Sequence, residues 1–420
     1  MTAPTPRAAV PARLRRARLG VTLLFFTNAI AYANLVPRLP EIRVELGLSY
    51  TQFGLAIAMA PVGALVLGLI AGPLIRRFTS GTVATWGMVA LAGSVMLAGI
   101  APSGLLFAGA LFLAGALDSI ADVAQNSHGL RVQRHYGRSI LNAMHGVWSM
   151  GAVVGGLMGG AAAGLGIDLR AHLAGVGVMV AVIVLAGYRL LLPGADSRAD
   201  VATSEQSAPA APGDAPTGAA TRSPRPRSVS TRTWLVLLAL GAIGTAGTWV
   251  EDAGATWAAS YLRDDLGTGA TIAALGFVAL QGMQFIGRIT GDRMVDRFGQ
   301  RGVARLGAVI GLVGMATALA LPTVWGTIIG FGCAGFGVAT LIPSAMAVAD
   351  ELPGFRHGTA LTLIGWLYRA GFLLSPPIVG LIADASSIRI GLMLMPISAV
   401  MVLLLARVLA PRGAATSASH

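Results

Sequence analysis

The chain contains no lysine; all 30 of its basic residues are arginine. That absence removes several chemistries. A Walker-type phosphate loop needs Lys, as do a Schiff base to pyridoxal phosphate and a retinal linkage. The chain therefore cannot hydrolyse ATP through a P-loop of its own. Cysteine occurs once, at Cys333 inside an apolar run, which excludes an intrachain disulfide and marks the thiol as inert packing. Neither His-Glu-x-x-His nor Gly-x-Ser-x-Gly occurs, so the commonest protease and hydrolase readings lack their motifs. No cofactor and no metal are expected.

Charge is the next scarcity. Only 11% of the 420 residues are charged while 55% are hydrophobic, with mean hydropathy +0.73 and 56 glycines. A soluble protein carries about 25% charged residues. Half of that leaves too little polar surface to face water, so the chain reads as an integral membrane protein embedded in a lipid bilayer. The net charge of +12 comes without a basic aromatic platform, so nucleic acid is not expected as a partner.

Apolar runs of about 20 residues, enough to cross about 30 Å of hydrocarbon, recur along the whole length. Twelve begin near Leu19, Thr51, Thr82, Gly104, Ile140, His172, Thr233, Thr268, Arg305, Val324, Thr359 and Arg389. Between the sixth and seventh, residues 193–232 are rich in Pro, Ala and Ser without apolar periodicity, which reads as a disordered linker. The expected organisation is a basic tail (1–18), a first six-helix half (19–192), the linker (193–232), a second half (233–410) and a short tail (411–420). Corresponding spans start about 215–220 positions apart, as expected of a repeat.

Arginine placement orients the chain. With the N-terminus inside, 24 arginines fall on the cytoplasmic side and five (Arg38, Arg43, Arg170, Arg263, Arg389) outside, leaving Arg369 within a span. That asymmetry places both termini in the cytoplasm. One alternative stays open: Arg13 to Arg18, an apolar stretch and then Ala31-Tyr32-Ala33 have the outline of a cleaved signal peptide.

Two loops carry related patterns. Residues 292–301, DRMVDRFGQR, follow the eighth span and match Gly-x-x-x-Asp-Arg-x-Gly-x-Arg everywhere but at the first position, where Asp292 replaces Gly. In the first half Gly72 and Arg77 survive, but Arg76 takes the acid's place and Thr79 the later glycine's. On these loops, the twelve spans and the long central linker, the chain resembles the major facilitator superfamily. Gly151, Gly155, Gly156, Gly159 and Gly160 also resemble that superfamily's antiporter motif, with Gly156 where its proline stands. Glycine at every fourth position equally serves close helix packing. More narrowly, residues 25–49, 122–151 and 261–267 resemble the bacterial inner-membrane branch of YbjJ type, loosely akin to fucose permease.

The resemblance implies an all-α membrane fold, two six-helix pseudo-repeat halves around a central cavity, in the bacterial cytoplasmic membrane. Spans 1, 2, 4, 5, 7, 8, 10 and 11 would line the cavity, and the polar residues follow that division. Span one has Asn28, Tyr32 and Asn34; span four has Asp118, Asp122, Gln125 and Asn126; span five has Asn142, His145 and Ser149, flanked by Trp148. Span seven has Glu251 and Asp252, span eight Gln281 and Gln284, span eleven Tyr368 and Arg369. Charged side chains at bilayer depth cost about 2.5–3.5 kcal/mol on insertion scales, so they face a cavity or a partner.

Asp118, Asp122, Gln125, Asn126, Asn142, His145, Glu251, Arg369, Asn28, Asn34, Gln281 and Trp148 are the candidate substrate and proton pathway. Asp292, Arg293, Asp296, Arg297 and Arg301 are the candidate gating loop. The expectation is a monomeric secondary transporter of a small, sugar-like polar solute, working by alternating access with protons as coupling ion. Drug or metabolite efflux is the alternative on the same fold, and an intramembrane enzyme a distant one. A static ion pair with Glu251 or Asp252 is the simplest expectation for Arg369.

Overall fold

The computed structural model describes residues 10–137, 140–194, 196, 229–355 and 358–409. The described chain is helical, with eleven helices long and apolar enough to cross a membrane. We label the crossings α1 (Ala12–Glu45), α2 (Tyr50–Phe78), α3 (Ser80–Ile100), α4 (Gly104–Tyr136), α5 (Leu141–Gly164), α6 (Leu169–Tyr188) and α7 (Thr231–Asp265). Then come α8 and α9, both inside Ala270–Ala320, followed by α10 (Val324–Asp350), α11 (Thr359–Ala385) and α12 (Ile388–Val408).

The helix Ala270–Ala320, 51 residues long, would reach about 76 Å if straight, more than twice a bilayer core. It is two crossings. Gly299 sits inside it at φ 74°, ψ 159°, outside helical space. Packing against α10 shows the reversal. Gly276, Leu280 and Gly291 meet Phe331, Gly335 and Thr340 in the same order, whereas Gly307 and Gly314 meet Gly337 and Cys333 in the opposite order. Residues 270–298 (α8) and 300–320 (α9) are therefore antiparallel, which restores twelve crossings. Chain direction alternates, so α1 starts and α12 ends at one end of the bundle, here the near end; the other is the far end.

The first half repeats this turn with a different residue. Thr79, between α2 and α3, adopts φ 77°, ψ 151°, close to the conformation of Gly299. A β-branched residue at positive φ is strained by about 1–3 kcal/mol. Its hydroxyl accepts from the Thr82 amide at 3.5 Å, a weak helix cap. The backbone of the repeat persists where the glycine does not.

Within lipid there is little hydrophobic gain in bringing apolar helices together, so close packing through small residues holds them. The α5 glycines form two stripes. Gly151, Gly155 and Gly159 seat α1 of the same half; Gly156, Gly160 and Gly164 seat Phe277, Ala274 and Thr271 of α8 in the other half. Ala31 and Ala33, within the outline of a cleavage site, lie mid-helix in α1 and are buried against neighbours.

Residues 195 and 197–228 of the expected linker lie outside the described residues, but its two ends are structured. Ser230 caps α7. At the other end, the Asp196 carboxylate accepts from the Ser80 amide (2.6 Å), the Ser80 hydroxyl (2.7 Å) and Arg131 (3.4 Å). Arg131 also donates to the Gly194 and Pro193 carbonyls, and His128 contacts the Ser80 hydroxyl and accepts from the Leu192 amide. A buried polar knot thus fastens the end of α6 to α3 and α4.

Thermal unfolding of detergent-purified protein checks both features. Thr79→Gly should raise stability by about 1 kcal/mol, because relieved strain exceeds the few tenths lost with the cap; a fall would contradict the strain. Asp196→Ala should lower stability by about 3–5 kcal/mol, since it strands a buried guanidinium.

Candidate functional site: the cleft between the halves

The halves meet along two seams, α2 against α11 and α5 against α8, with the far end of α1 touching α7 and α8. The far end is shut. Arg43 pairs with Asp264 at 3.1 Å and lies 4.2 Å from the Tyr50 ring centre, and the Tyr50 hydroxyl donates to Asp264. A π-helical turn at the end of α7, Tyr261–Asp265, presents that aspartate. Asp384 of α11 accepts from the Tyr50 and Thr51 amides at 2.9 and 2.8 Å, placing an anion on the N-terminus of α2. Beneath these, Trp257 is fully buried against Tyr50 and Phe53.

Toward the near end the α2–α11 seam parts. Pro376 and Gly380 of α11 abut Gly54 and Tyr50 of α2, but about three turns before Pro376, on the same face, a Cβ at Gly365 would meet open space. Here α2 packs back on its own half, Gly68 against Ser119. Between the separated helices lies a polar cleft.

On the first-half wall Asp118 accepts from the Asn28 amide at 2.7 Å, and the Asn28 carbonyl accepts from the Trp148 indole at 2.8 Å. This chain of three ties α4, α1 and α5 together. Asp122, one turn on, accepts from Gln125 (3.1 Å) and Asn126 (2.9 Å). Both carboxylates are exposed while Asn28 and Gln125 are buried, so the acids face the cleft and the amides hold them from behind. Neither acid forms an ion pair among the described residues. His145 is exposed, edge-on to Phe25 at 5.2 Å, and close enough to Asp122 and Arg288 to feel both charges.

On the second-half wall Glu251 accepts from Gln284 at 2.9 Å and lies 3.9 Å from Arg288, whose other nitrogen donates to Ser149 across the α5–α8 seam. Asp252 lies beside Ser375, although neither its Oδ2 nor the Ser375 hydroxyl completes a hydrogen bond. Tyr32 of α1 is within reach of the charges of Asp118, Glu251 and Asp252 together. Glu251 and Asp252 thus point from neighbouring faces of α7, Glu251 toward Gln284 and Arg288 of α8 and Asp252 toward Ser375 of α11. Gln281 is buried, 4% exposed.

Three expectations about placement change. Asn34 is fully buried away from the cleft, donating to the Ile30 carbonyl and bonded to His172 of α6. Six residues on from Asn28 turns a helix by about 240°, which puts it on another face. Arg369 forms no ion pair among the described residues; Arg288 is Glu251's partner instead. In the expected gating loop, Asp292, Arg293, Asp296 and Arg297 are exposed and form no ion pair among the described residues, while Arg301 caps α12 through the Arg407 and Leu409 carbonyls. The Asn142 side chain lies outside the described residues. Sequence reasoning missed Arg288, though it stands four and seven residues from Gln284 and Gln281 on one helix face. The far-end latch escapes sequence reasoning as well, since Arg43 counts there only as an outer-side arginine and nothing singles out Asp264 or Asp384.

Among the described residues no group of three His, Cys, Asp or Glu side chains is placed to hold a metal ion. A small apolar pocket between α7, α9, α10 and α12 is lined by residues such as Ala246, Gly311 and Met315 and holds none of the candidate residues.

A bundle of twelve crossings whose halves close at one end and part around charged side chains is a multi-pass membrane transporter of small molecules rather than an enzyme. The chain belongs to the Major Facilitator Superfamily, whose profile matches residues 21–294 and 252–419. It is 28% identical to an uncharacterized transporter, y4wD, of Sinorhizobium fredii over 393 residues, 93% of this chain and 97% of that one. It is 25% identical to the membrane protein MosC of Rhizobium meliloti over 365 residues, covering 87% and 83%. Among solved structures, a bacterial homolog of the human lysosomal transporter Spinster, inward-facing and unoccupied, matches with TM-score 0.68 at 14% identity, covering 95% and 98%. The nucleoside transporter NupG matches with TM-score 0.67 at 14% identity, covering 93% and 97%. At that identity the likeness is one of fold.

Replacing the Trp148 indole tests how the first-half wall is built. Trp148→Phe removes the donor to Asn28 and should lower thermal stability by about 1 kcal/mol, the net worth of one buried hydrogen bond. Unchanged stability would mean that Asn28 holds Asp118 unaided.

Proposed function

We propose that the protein is a proton-coupled secondary transporter of a small polar solute, working by alternating access from the bacterial cytoplasmic membrane. Arginine asymmetry supports near-end termini in the cytoplasm, so the open cleft faces inward and the latch lies outside. The carrying observation is the contrast between the two walls. Glu251 has a cation beside it, whereas Asp118 and Asp122 stand one turn apart, held by amide donors and without an ion pair among the described residues. Uptake of a proton there removes a charge that has no counter-ion at bilayer depth, and its release restores it.

Rocking then exchanges one seam for another. Opening the far end requires breaking Arg43–Asp264 and lifting Asp384 from the N-terminus of α2, while the α5 glycine stripe that seats α8 lets the halves shift along that seam. A polar cargo suits the amide-rich first-half wall and the sequence resemblance to a branch loosely akin to fucose permease. Efflux on the same fold is the second reading, favoured by the α5 glycines; those glycines are already occupied in packing.

Flux into proteoliposomes tests the coupling. An imposed proton gradient should drive accumulation of the cargo, and Asp118→Asn with Asp122→Asn should abolish that dependence while leaving exchange without a gradient. Flux that ignores the gradient in the unaltered protein would overturn proton coupling. The latch has its own readout. Asp384→Asn should increase labelling of Phe53→Cys by an impermeant maleimide applied from the far side, and unchanged labelling would show that the latch does not control that end.

A further inference from the structure

Among the described residues, Arg369 is a cleft cation without an ion-pair partner. It stands ten residues into α11, about 15 Å from the helix start and hence near mid-bilayer depth. Seven residues separate it from Pro376, so the two lie within about 20° of each other on the helix. Pro376 marks the face that meets α2 at the closed end. Arg369 therefore projects from that face where the seam has opened, one turn from the vacant space beside Gly365. It is half-buried, and Trp366, 38% exposed, lies 5.8 Å from its guanidinium. No carboxylate within the described residues pairs with it, and none is close enough to exert a resolved charge effect on it.

The contrast with Arg288 is informative. Both arginines face the space between the halves, but Arg288 is engaged by Glu251 and Ser149. A guanidinium held at mid-depth without an anion leaves a planar fork of donors open, and that fork fits a carboxylate in bidentate fashion. Across the cleft, Asn126 and the amide-held acids offer groups that bind hydroxyls, and Trp366 beside the guanidinium offers a flat apolar face.

We propose that the cargo carries a carboxylate bound by Arg369, and that it is a hydroxylated monocarboxylic acid of the sugar-acid class. This rests on the transporter reading above and narrows its substrate. It also gives proton uptake a second use. An anion moving together with one proton carries no net charge across the membrane potential.

Detergent-purified full-length protein, titrated by thermal shift and calorimetry, tests the assignment. Sodium D-gluconate and D-glucuronate are compared with D-glucose in sodium chloride of matched strength. The acids should stabilise the protein and glucose should not. Arg369→Gln should weaken acid binding about 10- to 100-fold, the loss expected for one charge-assisted bidentate contact. Arg369→Lys should recover part of it, and Arg170→Gln, at an exposed position, should bind as the unaltered protein does. No stabilisation by either acid, an equal effect of glucose, or unchanged binding in Arg369→Gln each overturns the proposal. Proteoliposome counterflow separates this reading from the broader one. Acid bound but never moved would count against transport and leave the anion site standing. Glucose moved at the same rate by the unaltered protein and Arg369→Gln would leave transport standing and remove the anion site.

Discussion

A charged or hydrogen-bonding side chain at bilayer depth must find water or a partner, and the molecule is arranged around that requirement. Lipid supplies neither. Most of the chain therefore carries little that is polar at depth and packs through glycine and alanine, while the carboxylates at depth border the region between the halves. There some complete a bond, as Asn28 does to Asp118 and Trp148, and others face the open cleft, as Asp122 does. The same requirement makes the two-ended shape intelligible. Charges at the far end are satisfied across the seam, Arg43 by Asp264 and Asp384 by two backbone amides, so closing that end and satisfying those groups are one event.

The two halves repeat one another in backbone more faithfully than in side chains. Gly299 and Thr79 share a left-handed conformation although only one of them favours it. Around these turns the halves have diverged in what they hold. The second-half turn has its arginine on the carbonyls that end α12, whereas the first half recruits Asp196, from beyond α6, to the start of α3. The stabilising acid of the first half lies outside the loop where the repeat would place it.

Much of the architecture was legible in the sequence because hydrophobic length is a property of single segments. All twelve crossings begin within a few residues of where apolar runs begin, save α1, whose helix extends back to Ala12 through arginines. The eighth and ninth were separable by the Gly299 motif although helix runs through both. The cleft was legible in part. Asp118, Asp122, Asn126 and Glu251 lie on spans that the family resemblance makes cavity-lining, but Asn34 could not be assigned by span and residue type alone, since a turn of about 240° takes it to the other side of α1. Partner choice was not legible. Whether Arg288 or Arg369 meets Glu251 depends on the height at which α7, α8 and α11 pass one another, and no single segment encodes that height. The latch was hidden for a related reason: Asp264 and Asp384 acquire meaning only from what lies opposite.

The most direct test of exchange between the two closures is a pair of spin-label distances measured in nanodiscs, in a Cys333→Ser background. One pair, Phe78→Cys with Phe298→Cys, reports the near end; the other, Leu105→Cys with Leu321→Cys, reports the far end. Moving from alkaline to acidic buffer should redistribute the two in opposite senses, one lengthening as the other shortens. Distances that stay fixed at both ends, or that lengthen together, would contradict a carrier whose halves rock about a central cleft.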